Sequence, residues 1–182
     1  MTDLNKDMER VLLSKERIAA RIAEMGKQIS EDYDGKDVVV LCILKGAVHF
    51  FSDLTRAMTC RMEMDFMSIS SYGNSRQTSG VVRIMKDIDV GITGRHVLIV
   101  EDIMDSGLTL NYLTMLLQAR EPASLRIACL LDKPERRECA ISPDYVGFII
   151  PNEFVVGYGL DFEGFYRNVP YVGVVKPEMY QK

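Results

Sequence analysis

Residues 96–110 read HVLIVEDIMDSGLTL, and this stretch decides the fold. The apolar run 97–100 has the composition of a buried strand, and Leu110, Leu113, Leu116 and Leu117 recur at helical spacing after it. Between strand and helix lie Ser106, Gly107 and Thr109, a small hydroxylated turn. At the start of a helix, the backbone N–H groups of such a turn form a seat for a phosphate. Yet Glu101, Asp102 and Asp105 crowd the same turn, and no carboxylate can touch a phosphate favourably. The ligand must therefore offer something else close by. Hydroxyl donors of a ribose would serve, as would a hard cation such as Mg²⁺ or positive charge that develops during reaction. A phosphorylated ribose with a metal-bound leaving group meets all three demands.

Working outward, 14–33 reads as a helix with Ile18, Ile22, Met25 and Ile29 on one face, Ser14 as its N-cap and Glu16 in its first turn. The run VVVLCIL (38–44) is a strand buried on both faces, and a second helix follows Gly46 through Met58. Residues 62–70 alternate as a strand does, the polar SYGNSRQTSG (71–80) turns, and 81–85 resume a strand. The whole of 62–85 thus reads as an antiparallel flap grafted onto a sheet. Further short strands are predicted at 125–131, 145–150, 154–158 and 171–175.

Strands alternating with helices imply right-handed crossovers. The fold class is α/β: a mainly parallel twisted sheet with helices on both faces, plus a small antiparallel flap. Ligands of such sheets bind beyond the carboxyl ends of the strands. Residues 44–46, 101–102, 132–133 and the end of 154–158 each follow a predicted strand, so four loops are expected to meet on one edge.

Bulk properties narrow the partners. A chain of 182 residues is one domain by default. With net charge −4 it has no basic footprint for nucleic acid. Cys42, Cys60, Cys129 and Cys139 form no CxxC pair, and two of them sit in apolar runs, as thiols of a reducing compartment do. The longest apolar run, 38–44, falls far below the roughly 20 residues of a membrane helix, and no leader segment is visible. The expectation is a soluble cytoplasmic protein with no membrane and no nucleic-acid partner. GxxxxGK[ST] and a strand-linked GxGxxG are both missing, which excludes a nucleoside-triphosphate loop and a dinucleotide fold.

VLIVEDIMDSGLT resembles the phosphoribosyl diphosphate signature of the type I phosphoribosyltransferases. LKGA (44–47), SSYG (70–73), LLDKPERR (130–137) and FVVGYGLDF (154–162), with Arg167 beyond, resemble the hypoxanthine-guanine branch of that family. Together these motifs span nearly the whole chain beyond the first helix. The resemblance implies a single phosphoribosyltransferase domain over 1–182, with a mobile flap around 70–83 and a base-binding hood around 150–182. It implies purine salvage: the 5-phosphoribosyl group passes from phosphoribosyl diphosphate to N9 of hypoxanthine or guanine, giving IMP or GMP and pyrophosphate. A homodimer or homotetramer is implied too.

By the same resemblance, backbone amides of Asp105, Ser106, Gly107, Leu108 and Thr109 hold the 5'-phosphate. Glu101 and Asp102 hold the ribose hydroxyls, partly through Mg²⁺, and Asp161 is a ligand of a second Mg²⁺. Asp105 is the general acid/base that takes the N7 proton of the purine. Lys45 and Gly46 form the pyrophosphate loop, often preceded by a cis peptide, and Arg167 makes a further pyrophosphate contact. Phe154 stacks on the base, Val155 bonds it through the main chain, and Lys133 donates to its 6-oxo group. Ser71 and Tyr72 belong to the closing flap. Leu108 stands where some relatives carry lysine, and Ala47 and Gly159 are expected to tolerate change.

Chemistry supports the base assignment independently. A lysine only donates, so Lys133 meets a carbonyl but would face the amino group of adenine donor to donor. That predicts 6-oxopurines over adenine. Taken singly, Lys133 and Arg167 would be ordinary surface residues and Phe154 ordinary core; their neighbours give them roles. The alternative from another class is a regulator of this fold that senses phosphoribosyl diphosphate and binds RNA or DNA. An acidic chain that carries Asp105, Lys133 and Asp161 favours the enzyme.

Overall fold

The computed structural model describes residues 4–71 and 82–180, with residues 71 and 82 described by their backbone alone. Expectations placed on Tyr72, on the Ser71 side chain and on the turn of the flap lie outside the described residues.

The strand β2 (Val38–Leu44) has apolar side chains on both faces, so it must be covered twice. Val38, Val40 and Cys42 enter one core together with Ile18, Ile22, Met25 and Ile29 of α1 (Lys15–Asp32) and Phe50 and Leu54 of α2 (Val48–Ala57). Val39, Leu41 and Ile43 enter a second core with Leu110, Leu113 and Leu117 of α3 (Leu108–Gln118). Ser14 caps α1, its Oγ accepting from the N–H of Arg17 at 3.3 Å. The sheet adds β3 (Met62–Ser71), β4 (Val82–Lys86), β5 (His96–Met104), β6 (Ser124–Asp132) and β7 (Tyr145–Ile149) in the order β4-β3-β2-β5-β6-β7. All neighbours are parallel except β3 and β4. Among the described residues no helix is long and apolar enough to cross a membrane.

Three expectations change. First, 62–85 is not wholly a grafted flap: β3 runs parallel to β2 from Met62↔Val38 to Ser68↔Leu44 and turns antiparallel only where Ser68 to Ser71 meet β4. Alternation reveals a strand but not its direction, which the α2 crossover sets. Second, Glu101 and Asp102 do not follow β5 but lie within it, because pairing with β6 continues to Met104↔Asp132. Third, residues 154–158 do not join the main sheet. Only β8 (Val155–Val156) is a strand there, and it belongs to a separate antiparallel sheet, β1-β9-β8, with β1 (Met8–Leu13) and β9 (Val172–Val175). The short helix α4 (Pro177–Tyr180) follows β9. The hood is thus closed by an N-terminal strand that sequence reading did not foresee.

Asp65, midway along the pairing of β3 with β2, ties that strand to the segment that follows β4. It is 3% exposed, and its carboxylate accepts from the N–H groups of Phe66 (2.7 Å), Asp89 (2.7 Å) and Val90 (3.1 Å). Burial pushes its pKa up, but these N–H groups and Lys86 outweigh burial, and the net shift is downward. Asp65→Ala should cost about 1–3 kcal/mol of stability in urea denaturation at neutral pH. A depressed folded-state pKa gives stability that is present above the ordinary carboxylate value of about 4 and lost as pH falls through the folded value. Wild type and variant should therefore converge in acid; a gap independent of pH would show that the ionised carboxylate contributes nothing.

Candidate active site

At the carboxyl ends of β2, β3 and β5 opens a cleft of about 250 Å³, lined by Leu44, Ile69, Glu101, Asp105, Ser106 and Thr109 among others. The peptide between Leu44 and Lys45 is cis, and the Lys45 side chain is exposed. Gly46 follows because nothing larger fits: an added Cβ would lie 1.7 Å from Asp102 Oδ2. Above it sits Gly159, where a Cβ would lie 2.0 Å from the Gly46 carbonyl oxygen at φ +104°. The expectation that Gly159 tolerates change is corrected by this contact. Gly159 thus rests on the Gly46 backbone, and Gly46 on the Asp102 side chain. Gly46→Ala should lower kcat/KM by about ten- to a hundredfold, because a displacement of roughly 1 Å in a reacting site has that scale. Steady-state kinetics of the variant in the proposed reaction checks this; wild-type values would mean that Gly46 and Asp102 yield freely.

Glu101 and Asp102 form an adjoining carboxylate pair, Asp102 buried and Glu101 half-buried on the cleft wall. The N–H of Asp102 donates to Glu101 Oε1 at 3.2 Å, and that of Ile103 to Asp102 Oδ1 at 2.7 Å. Burial holds the pKa of Glu101 well above the carboxylate range, and the neighbouring Asp102 charge adds to this. Burial also raises Asp102, against the pull of backbone N–H groups and the Arg167 cation. Two hard oxygen donors disfavoured as anions fit a divalent cation, which would relieve both penalties. Among the described residues no three His, Cys, Asp or Glu side chains gather around one point, so a cation here would take its remaining ligands from substrate and water. Asp161 stands apart: its Oδ1 pairs with Arg167 Nη2 at 2.5 Å, and its Oδ2 accepts from the Gly164 N–H at 2.8 Å. Arg167 also donates to the Gly159 carbonyl at 2.6 Å.

The turn after β5 leads directly into α3. Gly107 adopts φ +82°, a left-handed conformation natural to glycine, and N-caps α3; the N–H of Asn111 donates to its carbonyl at 2.8 Å. Ser106 Oγ accepts from the Leu108 N–H at 3.4 Å. The segment after β6 holds this turn in place, which sequence reading missed. Arg137 donates to the Asp105 carbonyl at 2.8 Å and pairs with Asp132, and the Glu138 N–H donates to the Ser106 carbonyl at 2.9 Å. Arg136 Nε lies 2.6 Å from Asp105 Oδ1. The doublet Arg136-Arg137 was visible in LLDKPERR, but no spacing rule ties it to a turn some thirty residues earlier.

Lys133 follows β6, close enough to Asp105 for their charges to interact. Lys133 is 7% exposed; its N–H donates to the Met104 carbonyl (3.0 Å) and its Nζ to the Glu153 carbonyl (2.7 Å). Burial lowers its pKa, partly opposed by Asp105. Phe154 remains 37% exposed although its ring meets Phe162 (5.6 Å, edge-on) and Tyr180 (4.8 Å). Val155 pairs with Val174 while the Val175 N–H donates to the Phe154 carbonyl, the pattern of a non-hydrogen-bonded pair. The N–H and C=O of Val155 therefore point away from β9, over the outer edge of β8.

Comparison with known proteins agrees with this layout. Residues 11–163 match the phosphoribosyl transferase domain family. The bifunctional protein TilS/HprT of Listeria innocua is 48% identical over 98% of this chain, which spans 28% of that protein's length. The hypoxanthine-guanine phosphoribosyltransferase of Lactococcus lactis is 51% identical, covering 99% of this chain and 98% of its own. A crystal structure of a hypoxanthine phosphoribosyltransferase from Staphylococcus aureus superposes with a TM-score of 0.96 at 46% identity, covering 98% of this chain and 97% of that one.

Proposed function

The chain belongs to the phosphoribosyltransferase family and has its type I fold, and from that premise we propose that it is a purine-salvage enzyme. It transfers the 5-phosphoribosyl group of phosphoribosyl diphosphate to N9 of hypoxanthine or guanine, releasing pyrophosphate. One observation carries this reading. Asp105 opens the glycine turn 105–109 at the start of α3 and lies close enough to the inward-facing Lys133 for their charges to interact, each following one of two strands in register. A phosphate seat and a 6-oxo donor close to a single carboxylate suit a ligand that joins a sugar phosphate to a 6-oxopurine.

In this proposal the backbone amides of Asp105 to Thr109 hold the 5'-phosphate, with Ser106 and Thr109 adding hydroxyls. Lys45, Gly46 and Arg167 receive the pyrophosphate. Glu101 and Asp102 hold the ribose hydroxyls and one Mg²⁺, and Asp161 a second. The metal, when bound, neutralises charge on the departing pyrophosphate. Phe154 stacks on the base, and the outward N–H and C=O of Val155 read its edge. Asp105 accepts the N7 proton as N9 bonds to the sugar carbon and the bond to pyrophosphate breaks. The whole chain acts as one catalytic unit, with 70–83 as its flap, including Ser71 and Tyr72. Assembly into two or four copies and a cytoplasmic setting belong to the same proposal; four free thiols suit a reducing compartment.

The test is direct. Purified protein, Mg²⁺ and phosphoribosyl diphosphate are incubated separately with hypoxanthine, guanine, xanthine, adenine and uracil, and the nucleoside monophosphate is quantified. Metal-dependent formation of IMP or GMP with little AMP is expected. Tight binding of phosphoribosyl diphosphate without product from any base would overturn the enzyme in favour of a sensor.

A further inference from the structure

The carboxylate assigned to proton transfer is half engaged before any purine arrives. Arg136 Nε lies 2.6 Å from Asp105 Oδ1, as an ion pair without the alignment of a hydrogen bond, and that oxygen is buried. The Asp105 side chain as a whole is 44% exposed. Its exposure therefore belongs to the rest of the side chain, and Oδ2 is the carboxylate oxygen that Arg136 does not hold. The two arginines of the doublet divide the work. Arg137 is turned inward at 15% exposure, bonded to the Asp105 carbonyl and paired with Asp132, so it fixes the backbone. Arg136 acts on the side chain alone. Its Nη1 also reaches towards Asn152 Oδ1 at 3.4 Å, in the loop that leads to the stacking residue Phe154.

We propose that Arg136 is a positioning residue for the phosphoribosyl transfer: it holds one oxygen of Asp105 so that the other faces the purine N7. This rests on the reading of Asp105 as the proton acceptor. A carboxylate on a turn has a free rotation about its χ2 bond, and that torsion is broad rather than stepped. A guanidinium on one oxygen removes that freedom before the base binds, which is preorganisation of the kind that raises the rate of the chemical step rather than affinity. The tie to Asn152 places the same cation beside the loop of the base platform. The ordinary alternative is a surface ion pair, since both partners are near half exposure, and such pairs contribute little to stability. The two readings differ in what they make of the rate.

Arg136→Gln is measured under single-turnover conditions with hypoxanthine at saturating phosphoribosyl diphosphate, so that product release does not set the rate. The expected result is a fall of about three- to tenfold in the single-turnover rate constant. KM for hypoxanthine and thermal stability should stay close to wild type, and Arg136→Lys should recover much of the loss. In an Asp105→Ala background the same Arg136→Gln change should cost nothing further, because its only route to the reaction has gone. An unchanged rate overturns the positioning role and leaves the enzyme reading standing. An equal loss with and without Asp105, or a loss confined to KM, also overturns it, since Arg136 would then act on the substrate. If the wild-type protein makes no nucleotide, both readings fall together.

Discussion

Asp105→Ala is expected to lower the rate of nucleotide formation by about 10²–10⁴-fold, the usual contribution of a placed proton acceptor. The geometry makes the loss specific. Asp105 closes the strand side of the phosphate turn, but the turn is held through its backbone, by Arg137 on the Asp105 carbonyl and Glu138 on that of Ser106. Removing the side chain leaves those bonds in place, so affinity for phosphoribosyl diphosphate should change little. Asp105→Asn should behave almost as badly, because the amide keeps the size and loses the basicity. Rapid-quench measurement of product, with phosphoribosyl diphosphate affinity measured in parallel, checks both halves. Wild-type turnover in either variant would mean that another group or water takes the proton.

Lys133 should govern which base is accepted. Its ammonium already donates to the Glu153 carbonyl, and two of its three protons remain for a ligand oxygen. A buried donor that must go unpaired when the wrong substrate binds can reject it by roughly 10⁴-fold. Lys133→Gln should lower kcat/KM for hypoxanthine by about ten- to a hundredfold, the scale of one charged hydrogen bond. The glutamine amide can turn its carbonyl towards the amino group of adenine, so the preference for hypoxanthine over adenine should shrink by at least about a hundredfold. Competition between the two bases in one reaction reads that ratio directly. An unaltered ratio would place base recognition elsewhere, on Val155 and its main chain.

The parts of the molecule that a sequence reveals are those with local periodicity. The continuous apolar runs of β2 and β6 and the 3.6-residue repeats of the helices α1 and α3 are such local signals, so their positions were legible within a few residues. The candidate site was legible where one short segment supplies much of the cleft wall, as 101–109 does. What escaped depends on pairing at long range. MERVLL of β1 has no alternation, and its partner β9 lies at the other end of the described chain. The direction of β3 is set by its crossover. Gly46 was visible as a glycine of a motif, but only the fold brings the Asp102 carboxylate against it. Likewise, Arg136 and Asp105 lie on different strands' loops, and an ion pair between them leaves no spacing to detect.

The pairing of β1 with β9 has a consequence for a chain made in order from its amino end. Every strand of the main sheet, and with it the phosphate turn and the acidic pair, leaves the ribosome before β8 and β9 do. β1 emerges ahead of them all and has no sheet partner until β9 follows. The sugar-phosphate half of the cleft can thus assemble during synthesis, while the platform of Phe154 and Val155 is completed last. On the proposed assignment, a nascent or truncated chain lacking β9 would carry a seat for the activated sugar without a seat for its acceptor.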